Sequence, residues 1–110
     1  MAKNIQSSAE FEQLIRESHT PVVVDFWAPW CGPCKALSPI LDSVDATVRS
    51  TAQIVKVNID DHQELALAHG ITSIPTLLFF NQGSLQHRQT GIALQEDIIT
   101  RINALASTVI

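Results

Sequence analysis

VDFWAPWCGPCK, residues 24–35, is the stretch that decides the fold of this chain. It continues an apolar run, Val22–Phe26, that Asp25 alone interrupts. A strand that is apolar on both faces is typical of the centre of a sheet covered by helices on both sides. Cys31 and Cys34 follow at a strand-to-helix turn. The stretch therefore predicts a central strand that leads into a helix beginning with two thiols.

The flanking sequence predicts alternating helices and strands, with a short edge strand around Ile5. The first helix is opened by a capping box of Ser7 and Glu10 and carries Phe11, Leu14 and Ile15; the strand at 22–26 follows. The second helix carries Leu37, Ile40, Leu41, Val44 and Val48, and it is followed by a strand at Ile54–Asp60 and a short helix at Gln63–His69 ended by Gly70. A hairpin of Thr76–Phe80 and Leu85–Thr90, joined through residues 81–83, precedes the last helix, which carries Leu94, Ile98, Ile99, Ile102 and Leu105. Strand–helix–strand units imply parallel neighbours, and the hairpin adds antiparallel strands. The chain is therefore predicted to be an α/β protein with a helix-covered mixed sheet.

Composition narrows the class of protein. With 110 residues, 45% hydrophobic and 16% charged, the chain is expected to form one compact domain over residues 1–110. The net charge of −4 argues against nucleic acid as a partner, since phosphate binding needs a basic face. Met1–Ser8 lacks the apolar segment of a secretory signal, and no apolar run is long enough for a bilayer. We expect a cytoplasmic protein with no membrane partner.

The cysteine pair has three possible roles. As a structural staple, a disulfide closing a loop of about four residues contributes only ~2 kcal/mol in the chain-entropy model. A zinc site needs four ligands, and Cys31 and Cys34 supply two. The candidate histidines form no His-x3–5-His pair, so we expect no metal and place them at the surface or in loops; they are His19, His62, His69 and His87. Thiols in a reducing compartment are more often catalytic or metal-binding than structural, and because half of a zinc site is missing, redox chemistry is favoured.

The position of the two thiols predicts how they differ. Cys31 precedes a helix, whose unsatisfied N–H groups and positive dipole end favour a thiolate. Cys34 lies one turn further in and is expected to be more buried and to react second. Between them, Pro33 fixes the backbone and Gly32 allows another chain to come close. We expect the Cys31 thiolate to attack a target disulfide and Cys34 to release the reduced target.

The stretch at residues 24–35 resembles the active-site segment of the thioredoxin family. Pro39, Lys56, Asn58-Ile59-Asp60, Ile74-Pro75-Thr76 and Gly91 also fall where that family carries such residues. The resemblance covers nearly the whole chain. It implies the thioredoxin fold, a central five-stranded mixed β-sheet flanked by four helices, and the reduction of disulfides in target proteins.

The resemblance assigns Asp25 a catalytic role beneath the disulfide, where it deprotonates Cys34 during release of the target. Burial without a partner should raise its pKa towards neutrality. The alternative is a structural Asp25, satisfied by backbone donors or paired with Lys56. In the catalytic interpretation, Lys56 modulates the pKa values of the site together with Gly32 and Pro33.

The resemblance also implies a groove for an extended target chain. It places an exposed Trp30 in the recognition surface and a cis Pro75 facing the cysteines, with Ile74 offering its backbone to the target. Trp27 is expected to pack beside the site. The predicted groove residues are Trp30, Ile59, Ser73, Ile74, Pro75 and Gly91. Thr90 and Ile92, which flank Gly91, depart from the residues that relatives more often carry, so partner preference stays open.

The uncharged Gly32-Pro33 pair favours a reductant over an oxidant, because a charged neighbour would stabilise the reduced thiolate. The sequence holds no nucleotide-binding fingerprint, so we expect no bound cofactor. The resemblance implies a flavin- and NADPH-dependent thioredoxin reductase as electron donor, and we expect a monomer. Whether the chain acts as an enzyme or as an electron carrier stays open. The competing function is a redox-independent structural or clamp subunit of a larger complex.

Overall fold

The computed structural model describes residues 2–107, and within them the chain forms five strands and four helices. The elements are β1 (Lys3–Asn4), α1 (Ser8–Glu17), β2 (Val22–Trp27), α2 (Gly32–Val48), β3 (Gln53–Asn58), α3 (Gln63–Ala68), β4 (Thr76–Asn81), β5 (Ser84–Thr90) and α4 (Gln95–Ala106). This is the order predicted from the sequence, including the edge strand beside Ile5.

The strands form one mixed sheet in the order β1-β3-β2-β4-β5. β2 lies at the centre, parallel to β3 and antiparallel to β4. β1 adds a parallel edge to β3, and β5 pairs antiparallel with β4. The predicted central position of the strand before the cysteines is confirmed.

Both faces of the sheet are covered, and β2 contributes to both hydrophobic cores. Val22, Val24 and Phe26 pack in the core that holds Phe11 of α1 and Leu65 of α3. The opposite core takes Val23 of β2 together with residues of α2 and α4, namely Leu37, Leu41, Val44, Val48, Ile98 and Ile102. This double burial explains why β2 is apolar on both faces.

Helix starts differ from prediction in two details. The Ser7 hydroxyl accepts the Glu10 backbone N–H at 3.1 Å, as expected, but the Glu10 carboxylate accepts the N–H of Gln6 at 2.7 Å. The prediction that Leu94 belongs to the apolar face of the last helix is wrong. Leu94 is the residue before α4 and is 60% exposed, because the buried face of the helix begins at Ile98.

Two turns set the ends of strands. β3 ends at Asn58, two residues before the predicted Asp60, because the Asn58 carbonyl accepts the N–H groups of Asp61 and His62. The β4–β5 hairpin turns through Gln82 and Gly83, whose φ values are +54° and +83°. Both values are those of a two-residue turn that matches the twist of the flanking strands.

His62 and His69 lie in the loops that flank α3, as expected, but both side chains are partly buried. The ring of His69 packs on Phe11, Phe80 and Phe26, with centroids 5.2, 6.0 and 6.2 Å away. The Nε2 atom of His62 lies 3.0 Å from the Ile5 carbonyl oxygen. Burial lowers the pKa of His69, which favours the neutral imidazole among these rings.

None of the helices described between residues 2 and 107 combines the length and the apolarity needed to cross a membrane.

Candidate active site

Cys31 and Cys34 are joined by a disulfide at the end of the central strand, with their Cα atoms 5.3 Å apart. Cys31 is the residue before α2, and Cys34 lies in its first turn. The Cys31 sulfur accepts the backbone N–H of Cys34 at 3.1 Å. A sulfur in this position faces the unsatisfied N–H groups of the helix, which stabilise negative charge on it.

The prediction that Cys34 is more buried than Cys31 is wrong in the disulfide form. Their exposed fractions are 5% and 4%. Cys31 is covered because the Ile74 carbonyl oxygen lies 3.8 Å from its sulfur and because Ile59 and Trp27 pack around the pair. In the disulfide form, exposure therefore does not distinguish the two sulfurs, whereas the Cys34 N–H is directed at the Cys31 sulfur.

Asp25 lies on β2, directly before the site, and is 1% exposed. Its Oδ1 atom has no hydrogen-bond partner. Burial raises the pKa of Asp25 to about 6, while the positive charge of Lys56 partly opposes that rise. A carboxyl with this pKa exchanges protons near neutral pH, as predicted from its isolation in an apolar run.

Lys56 lies beside Asp25 in the sheet, as its register partner on the parallel strand β3. Its ammonium group is 3.4 Å from the Ser38 hydroxyl oxygen and 4.8 Å from the centre of the Trp27 ring. Among the ion pairs within residues 2–107, none joins Lys56 to Asp25. The lysine therefore acts on the carboxyl through space. The contact with Ser38 was not foreseen, although its position four residues after Cys34 places it on the same side of α2.

Trp30 stands out from the surface beside Cys31 and is 67% exposed, as expected. Its indole N–H donates to both carboxylate oxygens of Asp60, at 3.2 and 3.3 Å. Asp60 was missed as a site residue because nothing near it in sequence marks a partner 30 positions away. Trp27 packs beside the disulfide as predicted.

Four of the predicted groove residues lie together around a cavity of about 320 Å³, lined by Trp30, Ile59, Ile71, Thr72, Ser73 and Ile74. Ile71 and Thr72 were not predicted; they follow α3 and form one wall. The Ile74–Pro75 bond is cis, and the Pro75 carbonyl accepts the N–H of Gly91 at 2.8 Å. Pro75 itself is buried and, like Gly91, does not line this cavity.

Among the described residues, no group of three or more His, Cys, Asp and Glu side chains is arranged to hold a metal ion.

Comparison with known proteins decides the family. The family model described as Thioredoxin matches residues 2–104. The chain belongs to the thioredoxin family. It is 38% identical over 103 residues to a thioredoxin of Rickettsia felis, covering 94% of this chain and 97% of the relative. It is 39% identical over 97 residues to a thioredoxin of Haemophilus influenzae, covering 88% and 91%.

Solved thioredoxin structures share the architecture. A mutant thioredoxin from Halobacterium salinarum superposes with a TM-score of 0.85 at 27% identity, covering 96% of this chain and 90% of the other. The oxidised form of mitochondrial thioredoxin 3 from Saccharomyces cerevisiae gives the same TM-score and identity, covering 94% and 95%. The predicted α/β thioredoxin fold is confirmed.

Family and geometry together give the activity. The chain is a dithiol–disulfide oxidoreductase whose redox centre is the Cys31–Cys34 pair. Thioredoxins generally work between a thioredoxin reductase and disulfide-containing proteins.

Proposed function

We propose that the chain reduces disulfides of target proteins and is itself reduced by a flavin- and NADPH-dependent thioredoxin reductase. The observation that carries the proposal is a disulfide at a helix N-terminus, next to a buried carboxyl with an unpartnered oxygen. The uncharged Gly32-Pro33 pair supports the reducing direction. We further propose one domain over residues 1–110, a monomer, and a cytoplasmic location, where reducing conditions suit free thiols.

In the first step, Cys31 acts as the nucleophile. Its thiolate attacks one sulfur of the target disulfide, a mixed disulfide forms, and the second target sulfur leaves as a thiolate. The N–H of Cys34, 3.1 Å from the Cys31 sulfur, and the positive end of α2 stabilise the attacking charge. Gly32 and Pro33 hold the turn that places this sulfur at the helix terminus.

In the second step, Cys34 resolves the mixed disulfide. Asp25 takes the proton of the Cys34 thiol, and the resulting thiolate attacks the Cys31 sulfur. The intramolecular disulfide closes, and the remaining target sulfur leaves as a thiolate. A base with a pKa of about 6 is ionised at neutral pH and can still accept a proton. The reductase then returns two electrons to the pair.

The target chain lies extended along Trp30, Ile59, Ser73 and Ile74 and reaches Gly91, which is hydrogen-bonded to the buried Pro75 behind Ile74. The Ile74 backbone, whose carbonyl oxygen is 3.8 Å from the Cys31 sulfur, pairs with the target backbone. Backbone pairing orients a target disulfide without reading its side chains. This suits a reductant that acts on many proteins.

Single substitutions of the two cysteines test the order of events. A Cys34→Ser variant, reduced and mixed with insulin, should accumulate a mixed disulfide through Cys31, because no thiol remains to release the target. A Cys31→Ser variant should trap little. Trapping by Cys31→Ser but not by Cys34→Ser would reverse the two roles. A double variant that kept its biological activity would instead indicate the redox-independent clamp.

A further inference from the structure

Ser38 is a polar residue on the side of α2 that faces the sheet. It lies four residues, about one helical turn, after Cys34. Its neighbours Leu37 and Leu41 are buried in the core beneath the helix. The Ser38 hydroxyl oxygen is the hydrogen-bond acceptor for the Lys56 ammonium at 3.4 Å.

Lys56 is therefore held from two sides. The Trp27 ring lies 4.8 Å from its ammonium group, and Ser38 contacts the same group from α2. Asp25 is the register partner of Lys56, so the carboxylate and the ammonium belong to neighbouring positions of the sheet. The lysine nevertheless forms its contacts with a hydroxyl and a ring, and one oxygen of Asp25 stays without a partner.

We propose that Ser38 is a positioning residue that holds the Lys56 ammonium at a fixed distance from Asp25 and thereby sets how readily Asp25 takes the proton of Cys34. This inference rests on the proposed role of Asp25 as the base for Cys34. Ser38 touches neither the target nor the thiols in this mechanism and acts only through Lys56.

The physical reason is a balance between two unsuitable arrangements. A direct ion pair with Lys56 would keep Asp25 ionised and make it a poor proton acceptor. If the ammonium turned away into water, burial would dominate and Asp25 would hold its proton at higher pH. Held by Ser38 and Trp27, the lysine attracts the carboxylate without neutralising it.

Lys56 is the charged side chain that influences the pKa of Asp25. The register partner of Asp25 on β4 is Leu77, which carries no charge. Cys31, the residue before α2, and Cys34, in its first turn, are uncharged while they form the disulfide. The oxidised protein is therefore the form in which the effect of Ser38 on Asp25 can be measured alone.

The test is an NMR titration of the Asp25 carboxyl carbon in the oxidised protein, in wild type, Ser38→Ala, Lys56→Met and the double variant. Lys56→Met should raise the pKa of Asp25 by roughly one pH unit, since an opposite charge a few ångströms away is lost. Ser38→Ala should raise it by about half as much, because a freed lysine extends its ammonium into water. The double variant should match Lys56→Met alone.

Ser43→Ala is the matched control, since Ser43 is an exposed serine of the same helix, and it should leave the titration unchanged. The inference is overturned if Ser38→Ala leaves the pKa of Asp25 unchanged or lowers it. It is also overturned if Ser38→Ala still shifts this pKa in the Lys56→Met background. The pH midpoint of mixed-disulfide resolution should move with the titration in each variant. If the pKa of Asp25 shifts in the variants as expected but the pH midpoint of the resolution rate does not, the role of Asp25 as base is contradicted. This outcome separates failure of the proposed function from failure of the role of Ser38.

Discussion

Replacing Asp25 with asparagine should stabilise the oxidised protein at neutral pH, although it removes a residue of the site. Asp25 is 1% exposed and its Oδ1 atom has no partner. An ionised carboxylate in that position loses its hydration without gaining a hydrogen bond at that oxygen. Asparagine has nearly the same shape and carries no charge.

The pKa of Asp25 gives the size of the effect. Its rise from 3.8 to about 6 corresponds to about 3 kcal/mol of unfavourable free energy when the group is ionised in the folded state. The opposing attraction of Lys56 is already contained in that value. An asparagine amide that finds no partner costs about 1–2 kcal/mol, and this cost does not depend on pH.

The pH dependence follows from linkage. Between pH 3.8 and about 6 the unfolded chain has released the proton that the folded protein still holds. Wild-type stability therefore falls, through this group, as pH rises over that interval, and it stays lower above it. The advantage of Asp25→Asn should be about 2.5 kcal/mol greater at pH 8 than at pH 4, where the unfolded chain has already released part of this proton, whatever the cost of the amide.

Denaturant unfolding of both proteins at a series of pH values measures this difference. Asp42→Asn, which removes an exposed acid from α2, serves as the control and should show no comparable change. A difference between Asp25→Asn and wild type that is constant from pH 4 to pH 8 would refute the reasoning. A loss of several kcal/mol at pH 8 would show that Asp25 is a paired structural charge.

Three further substitutions test the groove and the fold. Ile92 is 52% exposed beside Gly91, so we expect it to contact protein targets but not small disulfides. Ile92→Ala should change the relative rates at which protein disulfides are reduced and leave the rate for a small disulfide nearly unchanged. Equal slowing of both reactions would contradict the place of Ile92 at the edge of the groove. Gly91 has a φ of +87°, so Gly91→Ala should lower the free energy of unfolding by roughly 1–2 kcal/mol. The control is Gly32→Ala, whose added Cβ meets no atom within 4 Å and which should change the free energy of unfolding much less. Equal losses in the two variants would be inconsistent with backbone strain at Gly91. Burial lowers the pKa of His69 from 6.5, so protonation of this group alone should destabilise the folded protein as pH drops below that value. The stability of His69→Phe relative to wild type should therefore increase over that range, and a difference that stays constant with pH would exclude this effect of His69.

The sheet and the position of the thiols could be predicted because they depend on short-range pattern. A short run that is apolar on both faces is accommodated best at the centre of a sheet covered on both sides, and β2 lies at that centre. Cys31 and Cys34 begin a helix because Pro33 suits a first turn and the following residues repeat at helical spacing. Asp25 is buried because Val24 and Phe26, its neighbours along β2, are packed in the core.

What the sequence did not reveal depends on contacts between distant parts of the chain. The equal burial of the two cysteines arises because Ile74, 43 positions after Cys31, brings its carbonyl oxygen over the sulfur. The hydrogen bond from Trp30 to Asp60 depends on the turn that ends β3 early. The contact between Ser38 and Lys56 depends on how α2 crosses the sheet, which spacing alone does not set.

The most direct test of the central claim is the reduction of insulin with NADPH and a thioredoxin reductase, followed by the loss of NADPH absorbance. Catalytic amounts of the protein should support oxidation of many equivalents of NADPH, and the rate should fall to the level without the protein when Cys31 is replaced by serine. Absence of NADPH oxidation with the wild-type protein, or its persistence in the variant with both Cys31 and Cys34 replaced by serine, would contradict a dithiol reductant acting through this pair.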